Sequence, residues 1–145
     1  MLDNHFKNLI SIYNQAPINK VYKPKMRLAL GKCTIKMNIL KSFHHSANSL
    51  HGSVYFKMLD DAAWAASNTH VKDVFLFTYN FNVFLTKPVI KGNIKSVGEV
   101  IDIENTKIST KSVLFDSNDI EIATGEGVFI RSKYPLKDAI GFLDL

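Results

Sequence analysis

Apolar residues in this chain recur first at helical spacing, then at alternate positions, then around nearly a whole helix, and finally at alternate positions again. Phe6, Leu9, Ile10 and Tyr13 stand three or four apart behind Asp3, with Pro17 just beyond. Residues 3–15 therefore predict an opening helix, capped by Asp3 and ended ahead of the proline. After a polar connection containing Pro24, residues 28–40 set Lys32, Thr34 and Lys36 against Cys33, Ile35 and Met37, the alternation of one half-exposed strand. Between 52 and 68, Val54, Tyr55, Met58, Leu59, Ala62, Ala63, Trp64, Ala65 and Ala66 cover most of a helical circumference, which predicts a helix enclosed by protein. Its polar exceptions gather: at about 100° per residue, Ser53, Lys57, Asp60, Trp64 and Ser67 share one narrow face, and Asp61 is turned away from it.

The remainder alternates with period two. Phe75, Phe77, Tyr79, Phe81, Val83 and Leu85 predict a long, well-buried strand over 75–85 with these residues on one face. Further strands are predicted at 93–103, 107–115 and 120–130, with Asp116, Ser117, Asn118 and Asp119 as turn chemistry between the last two, an antiparallel meander. One strand before a buried helix and four after it predict an α+β chain: a curved antiparallel sheet wrapped around a long central helix, the hotdog fold. The expected organisation is one domain over 1–145 with its core at about 28–131, and residues 135–145 as a short terminal helix or a loose tail.

Composition narrows the class. With 145 residues and 46% hydrophobic content the chain can bury a core without disulfides or metals. The single cysteine, Cys33, cannot pair internally and reads as a small buried apolar residue in a reducing compartment. No continuous apolar stretch opens the chain and no run of about 18 apolar residues occurs, so a cytoplasmic protein without a membrane partner is expected. A net charge of +5 favours anionic partners in general, nucleic acids, membranes and phosphate-bearing small molecules alike, and its sign alone does not choose among them. The densest basic cluster is only Lys20, Lys23, Lys25 and Arg27, and no nucleic-acid motif accompanies it, so no nucleic-acid partner is expected.

Candidate chemistry concentrates where the helix begins. His44, His45, Asn48, His51, Gly52 and Ser53 precede Leu59, Asp60, Asp61 and Ala62, and Asp60 stands nine residues after His51. This segment resembles the phenylacetate-pathway (PaaI-like) type of hotdog acyl-CoA thioesterase, with its His-Gly turn opening the central helix and its Asp nine residues on. The resemblance extends through the strand from Thr78 to Pro88 and the small-residue strand from Glu121 to Phe129, covering residues 30–131. The family's second glycine is Ser53 here, and its asparagine six residues before the turn histidine corresponds to His45.

The resemblance implies an acyl-CoA thioesterase that needs no cofactor beyond the coenzyme A of its substrate. Asp60 would act as general base or nucleophile, and a carboxylate on a mostly apolar helix should have a raised pKa. The free N–H groups of Gly52 and Ser53 at the helix N-terminus would form the oxyanion hole, with His51 shaping the turn and His45 replacing an amide. Thr78 matches a hydroxyl that in relatives helps place the water from the neighbouring subunit. The resemblance also implies homodimers with sites at the subunit boundary, and pairing of dimers into a homotetramer.

Each residue also has a plainer reading. Asp61 is expected to pair with Lys57 one turn earlier, whereas Asp60 is assigned to function. His44, His45 and His51 lack an acidic ligand at supporting spacing, so no metal site is expected. Trp64 and the Phe-rich strand are assigned to ordinary core. Arg131 and Lys133 are candidates for coenzyme A phosphate contacts, and Asn48 and Asn80 for other substrate contacts. Two rival functions remain open: a hotdog hydratase or dehydratase with His51 as base, and a non-catalytic acyl-CoA binding module.

Overall fold

In the computed structural model, which describes residues 2–145 with Met1 lying outside them, the opening helix α1 spans Asn4–Gln15. Asp3 caps it by accepting the His5 N–H at 2.7 Å, and Ala16 closes it one residue before Pro17. A short helix α2 (Asn19–Tyr22) follows, ended by Lys23 in the left-handed conformation.

The strand expected at 28–40 is two strands, β1 (Lys25–Ala29) and β2 (Lys32–Asn38), paired as a hairpin. Alternation on both sides of Leu30–Gly31 hid the break, which depends on Gly31 at φ +72°. The Gly31 N–H donates to Thr69 Oγ1 at 2.8 Å, tying this hairpin to the end of the central helix.

That central helix, α3, spans Gly52–Asn68, and Met58, Leu59, Ala62, Ala63, Ala65 and Ala66 are wholly buried. The sheet continues with β3 (Val74–Leu85), β4 (Asn93–Glu104), β5 (Lys107–Phe115) and β6 (Glu121–Pro135), in spatial order β1-β2-β4-β5-β6-β3 with every pair antiparallel. α3 packs across β2 to β6, as expected for a sheet wrapped around it. No helix among the described residues is long and apolar enough to cross a membrane.

β3 departs from its expected burial. It lies at the sheet's outer edge, and its register shifts where Thr78 pairs with Phe129 but Asn80 pairs with Val128, leaving Tyr79 as an extra residue. Cross-strand partners share a side, and Phe129 and Gly127 stand two apart on β6, so Thr78 and Phe81 face the same way despite their odd spacing. Phe77 and Tyr79 are consequently 51% and 58% exposed. The tail is anchored too: after a 3-10 turn at Leu136–Asp138, Ser11 Oγ donates to the Gly141 carbonyl and the Leu143 N–H donates to Asn8 Oδ1, both at 2.6 Å.

Candidate active site

His51 is the N-cap of α3. Its own N–H donates to the Phe43 carbonyl at 2.9 Å, fixing the loop behind it. Its ring Nδ1 accepts the Ser53 N–H at 3.0 Å, and Ser53 Oγ lies 2.8 Å from the same nitrogen. The ring thus takes the part of a capping side chain, and an accepting Nδ1 puts the neutral ring's proton on Nε2. This corrects one expectation: the Ser53 N–H is engaged by His51 and not free for an oxyanion. The Gly52 N–H has no acceptor among the described residues, and it sits in the first turn of the helix, where the backbone dipoles favour negative charge. Leu85 at the end of β3 packs against Gly52, its Cδ1 3.2 Å from where a Cβ would stand.

The adjacent carboxylates of α3 part company, as their angular separation predicts. Asp60 turns to β3, where Thr78 Oγ1 donates to its Oδ1 at 2.8 Å. Thr78 therefore meets Asp60 within one chain, whereas the resemblance had placed this hydroxyl across a subunit boundary. Asp61 turns to α1, where its Oδ2 accepts from the Tyr13 hydroxyl at 2.6 Å and is paired with the Lys57 ammonium. Lys57 also lies 5.4 and 5.3 Å from the ring centroids of Tyr13 and Tyr22.

Burial pushes the Asp60 carboxyl up to about 6, with the Thr78 hydrogen bond and Lys57 opposing the shift and the Asp61 charge adding to it. The Tyr13 phenol is raised far out of its usual range, first by burial and then by Asp61, so it remains a donor. The sequence pattern marks Tyr13 only as an apolar position of the opening helix. Its link to Asp61 spans 48 residues, and no local pattern announces it. Because Lys57 is only 11% exposed, Asp61→Asn removes its ion-pair partner from a partly buried site, and a loss of about 1–3 kcal/mol is expected in urea unfolding. An unchanged midpoint would sink this account of the pair.

Asp60 and Thr78 border a cleft of about 270 Å³ whose walls include Tyr13, Trp64, Phe75 and Phe77. Trp64 belongs to the core, 8% exposed with Nε1 donating to the Leu76 carbonyl at 3.0 Å. Phe75 and Phe77, assigned to core on spacing, both line this cleft; Phe75 also packs against the core, whereas Phe77 is exposed.

The remaining candidates lie apart from Asp60. His45 shapes its own loop, its Nδ1 accepting the Ala47 N–H at 3.0 Å, and its ring centroid is 6.4 Å from that of His51. Asn48 occupies a turn at φ 62°, which explains an asparagine there without substrate. Asn80 is exposed immediately after the β3 irregularity. Arg131 is not a free cation: its guanidinium binds Asp73, whose carboxyl that hydrogen bond holds below the ordinary range. Lys133 is exposed and has no ion-pair partner among the described residues. His44 Nε2 lies 2.7 Å from the Ile90 carbonyl oxygen.

A family model described as Thioesterase superfamily matches residues 47–123, more than half of the chain and the span that holds His51, Asp60 and Thr78. No curated protein matches. Among solved structures, the E. coli PaaI protein from the phenylacetic acid degradation operon aligns with a TM-score of 0.83 at 14% identity, over 91% of this chain and 96% of that one. A thioesterase family protein from Silicibacter pomeroyi gives 0.80 at 16% identity, covering 87% and 96%. A mutant of phenylacetic acid degradation protein PaaI from Thermus thermophilus gives 0.73 at 16% identity, covering 81% and 100%. At these identities the likeness establishes the hotdog fold.

Proposed function

Because the chain belongs to the thioesterase superfamily, we propose that it acts as one domain that hydrolyses acyl-CoA thioesters to a free acid and coenzyme A, with Asp60 as its reactive carboxylate. The observation that carries this reading is the Thr78–Asp60 hydrogen bond in the lining of the aromatic-walled cleft, made by a carboxyl whose pKa burial has raised to about 6. In the base-catalysed route, ionised Asp60 takes a proton from water as the water oxygen bonds to the thioester carbon. The tetrahedral intermediate then collapses, the C–S bond breaks, and the coenzyme A thiolate leaves and gains a proton. In the nucleophilic route Asp60 attacks the thioester carbon and the coenzyme A thiolate leaves as the C–S bond breaks, after which water cleaves the resulting anhydride to the free acid and restores Asp60. Both begin from ionised Asp60.

The oxyanion donor favours a second copy of the chain. Gly52 and Asp60 are eight residues apart on α3, about 12 Å along its axis, too far for one carbonyl group to meet both. A partner's helix N-terminus would supply its Gly52 N–H. The β3 edge supports such pairing, since Tyr79, Phe84 and Leu85 are all exposed along it. Lys133 remains the available cation for coenzyme A phosphates, Arg131 being held by Asp73.

The test is thiol release from a panel of acyl-CoAs: a folded protein that cleaves none of them overturns the proposal. If turnover occurs, kcat/KM should rise with pH through about 6 as Asp60 loses its proton. Thr78→Val should move this inflexion upward, because the Thr78 hydroxyl stabilises the carboxylate form. An inflexion in the ordinary carboxylate range, or one unmoved by Thr78→Val, would remove Asp60 from the role.

A further inference from the structure

The cleft beside Asp60 does not end at Phe77. A second cleft of about 310 Å³ shares Ile12, Ala16, Phe75 and Phe77 with it and runs on past Pro17 and Tyr134 to Ile140. The two ends differ in chemistry: Lys57, Asp60 and Asp61 stand in the first, and no charged side chain lines the second. The outer wall is built rather than incidental, because the Ser11–Gly141 and Asn8–Leu143 bonds hold the tail against α1 and the Tyr134 hydroxyl donates to the Asp138 carbonyl at 2.9 Å. The groove leaves Phe77 and Ile140 51% and 64% exposed, bare apolar surface that an apolar ligand would cover.

We propose that the two clefts form one channel for the acyl group, that the substrates are linear acyl chains longer than about nine carbons, and that Ala16 at the shared stretch sets chain length. The inference rests on the thioesterase reading above. Taking a methylene to fill about the space of a liquid water molecule, about 30 Å³, the first cleft holds about nine carbons. A longer chain extends along the shared lining of Ile12, Ala16, Phe75 and Phe77 into the uncharged cleft. Ala16 follows the last turn of α1 at φ −57° and ψ 131°, a conformation open to any L-residue, so a larger side chain can fill the passage without backbone strain.

The experiment compares kcat/KM on butanoyl-, octanoyl- and dodecanoyl-CoA for wild type, Ala16→Phe and Ile140→Asp. In parallel, titration calorimetry follows binding of the non-hydrolysable dodecyl thioether of coenzyme A. Wild type should prefer dodecanoyl-CoA, and each variant should lower the dodecanoyl-to-butanoyl ratio by more than about tenfold and weaken thioether binding. Cleavage with a ratio unchanged within about twofold overturns the channel and leaves the thioesterase reading standing. Thioether binding sensitive to Ala16→Phe without any cleavage overturns the reaction and leaves the channel. Neither cleavage nor binding overturns both, and a change of oligomeric state on Ile140→Asp would assign the outer cleft to an interface between copies instead.

Discussion

Replacing Asp60 with Asn is expected to lower kcat/KM by about 10²–10⁴-fold and, in the same protein, to raise stability at neutral pH. The amide preserves size and can still meet the Thr78 hydroxyl, but it cannot accept a proton from water or attack a thioester. The stability gain follows from linkage. The Asp60 carboxyl rises from 3.8 to about 6 on folding, so ionising it opposes the folded state. That opposition is absent below about pH 4, grows as pH rises through the folded value, and is fully present above it. Urea unfolding of wild type and Asp60→Asn should therefore converge in acid and separate at pH 7 with the variant the more stable. Asp61→Asn should do the reverse at neutral pH, losing stability through Lys57. Equal behaviour of the two variants in both activity and stability would make the carboxylates interchangeable supports and end the case for Asp60.

This contrast between neighbours was legible in the sequence because it depends on helical geometry alone. The angular offset of Asp60 from Asp61 and the (i, i+4) partner Lys57 are both local, and α3 begins and ends where its apolar circumference does. What escaped is what the chain decides at a distance. The β1–β2 hairpin was concealed by alternation on both sides of Gly31, and period two gives no sign of an extra residue at Tyr79. That one residue turns Thr78 toward Asp60 and leaves Phe77 on the cleft, so the irregularity shapes the site directly. The pairing of Arg131 with Asp73, 58 residues away, and that of Tyr13 with Asp61 likewise follow from packing that no spacing encodes. Ser53 illustrates a subtler gap: its backbone was expected to serve an oxyanion, yet in this chain His51 binds it.

The position of Asp60 depends in turn on a contact with no side chain in it. α3 meets β4 at Gly98, where a Cβ would lie 2.4 Å from both the carbonyl carbon and oxygen of Ala62 and 2.7 Å from the Ala63 nitrogen. These are backbone atoms of a fully buried helix, so no side-chain rotation relieves the overlap, and the helix itself must move by about 1 Å. Gly98→Val is accordingly expected to destabilise by about 3 kcal/mol or more, the upper part of the overpacking range, even after the roughly 1 kcal/mol that a β-branched residue gains over glycine in a strand. Gly98→Ala introduces the same first carbon with less bulk and should leave a folded protein in which α3 is displaced. Ala62 is two residues beyond Asp60, so that displacement shifts the carboxylate from Thr78, and a misplacement of about 1 Å can cost about 10²-fold in rate. The expected signature is a kcat loss in Gly98→Ala larger than its change in urea midpoint would suggest. A fully active Gly98→Ala would instead mean that the helix absorbs the strain without moving Asp60, and that Thr78 and the cleft walls position the carboxylate on their own.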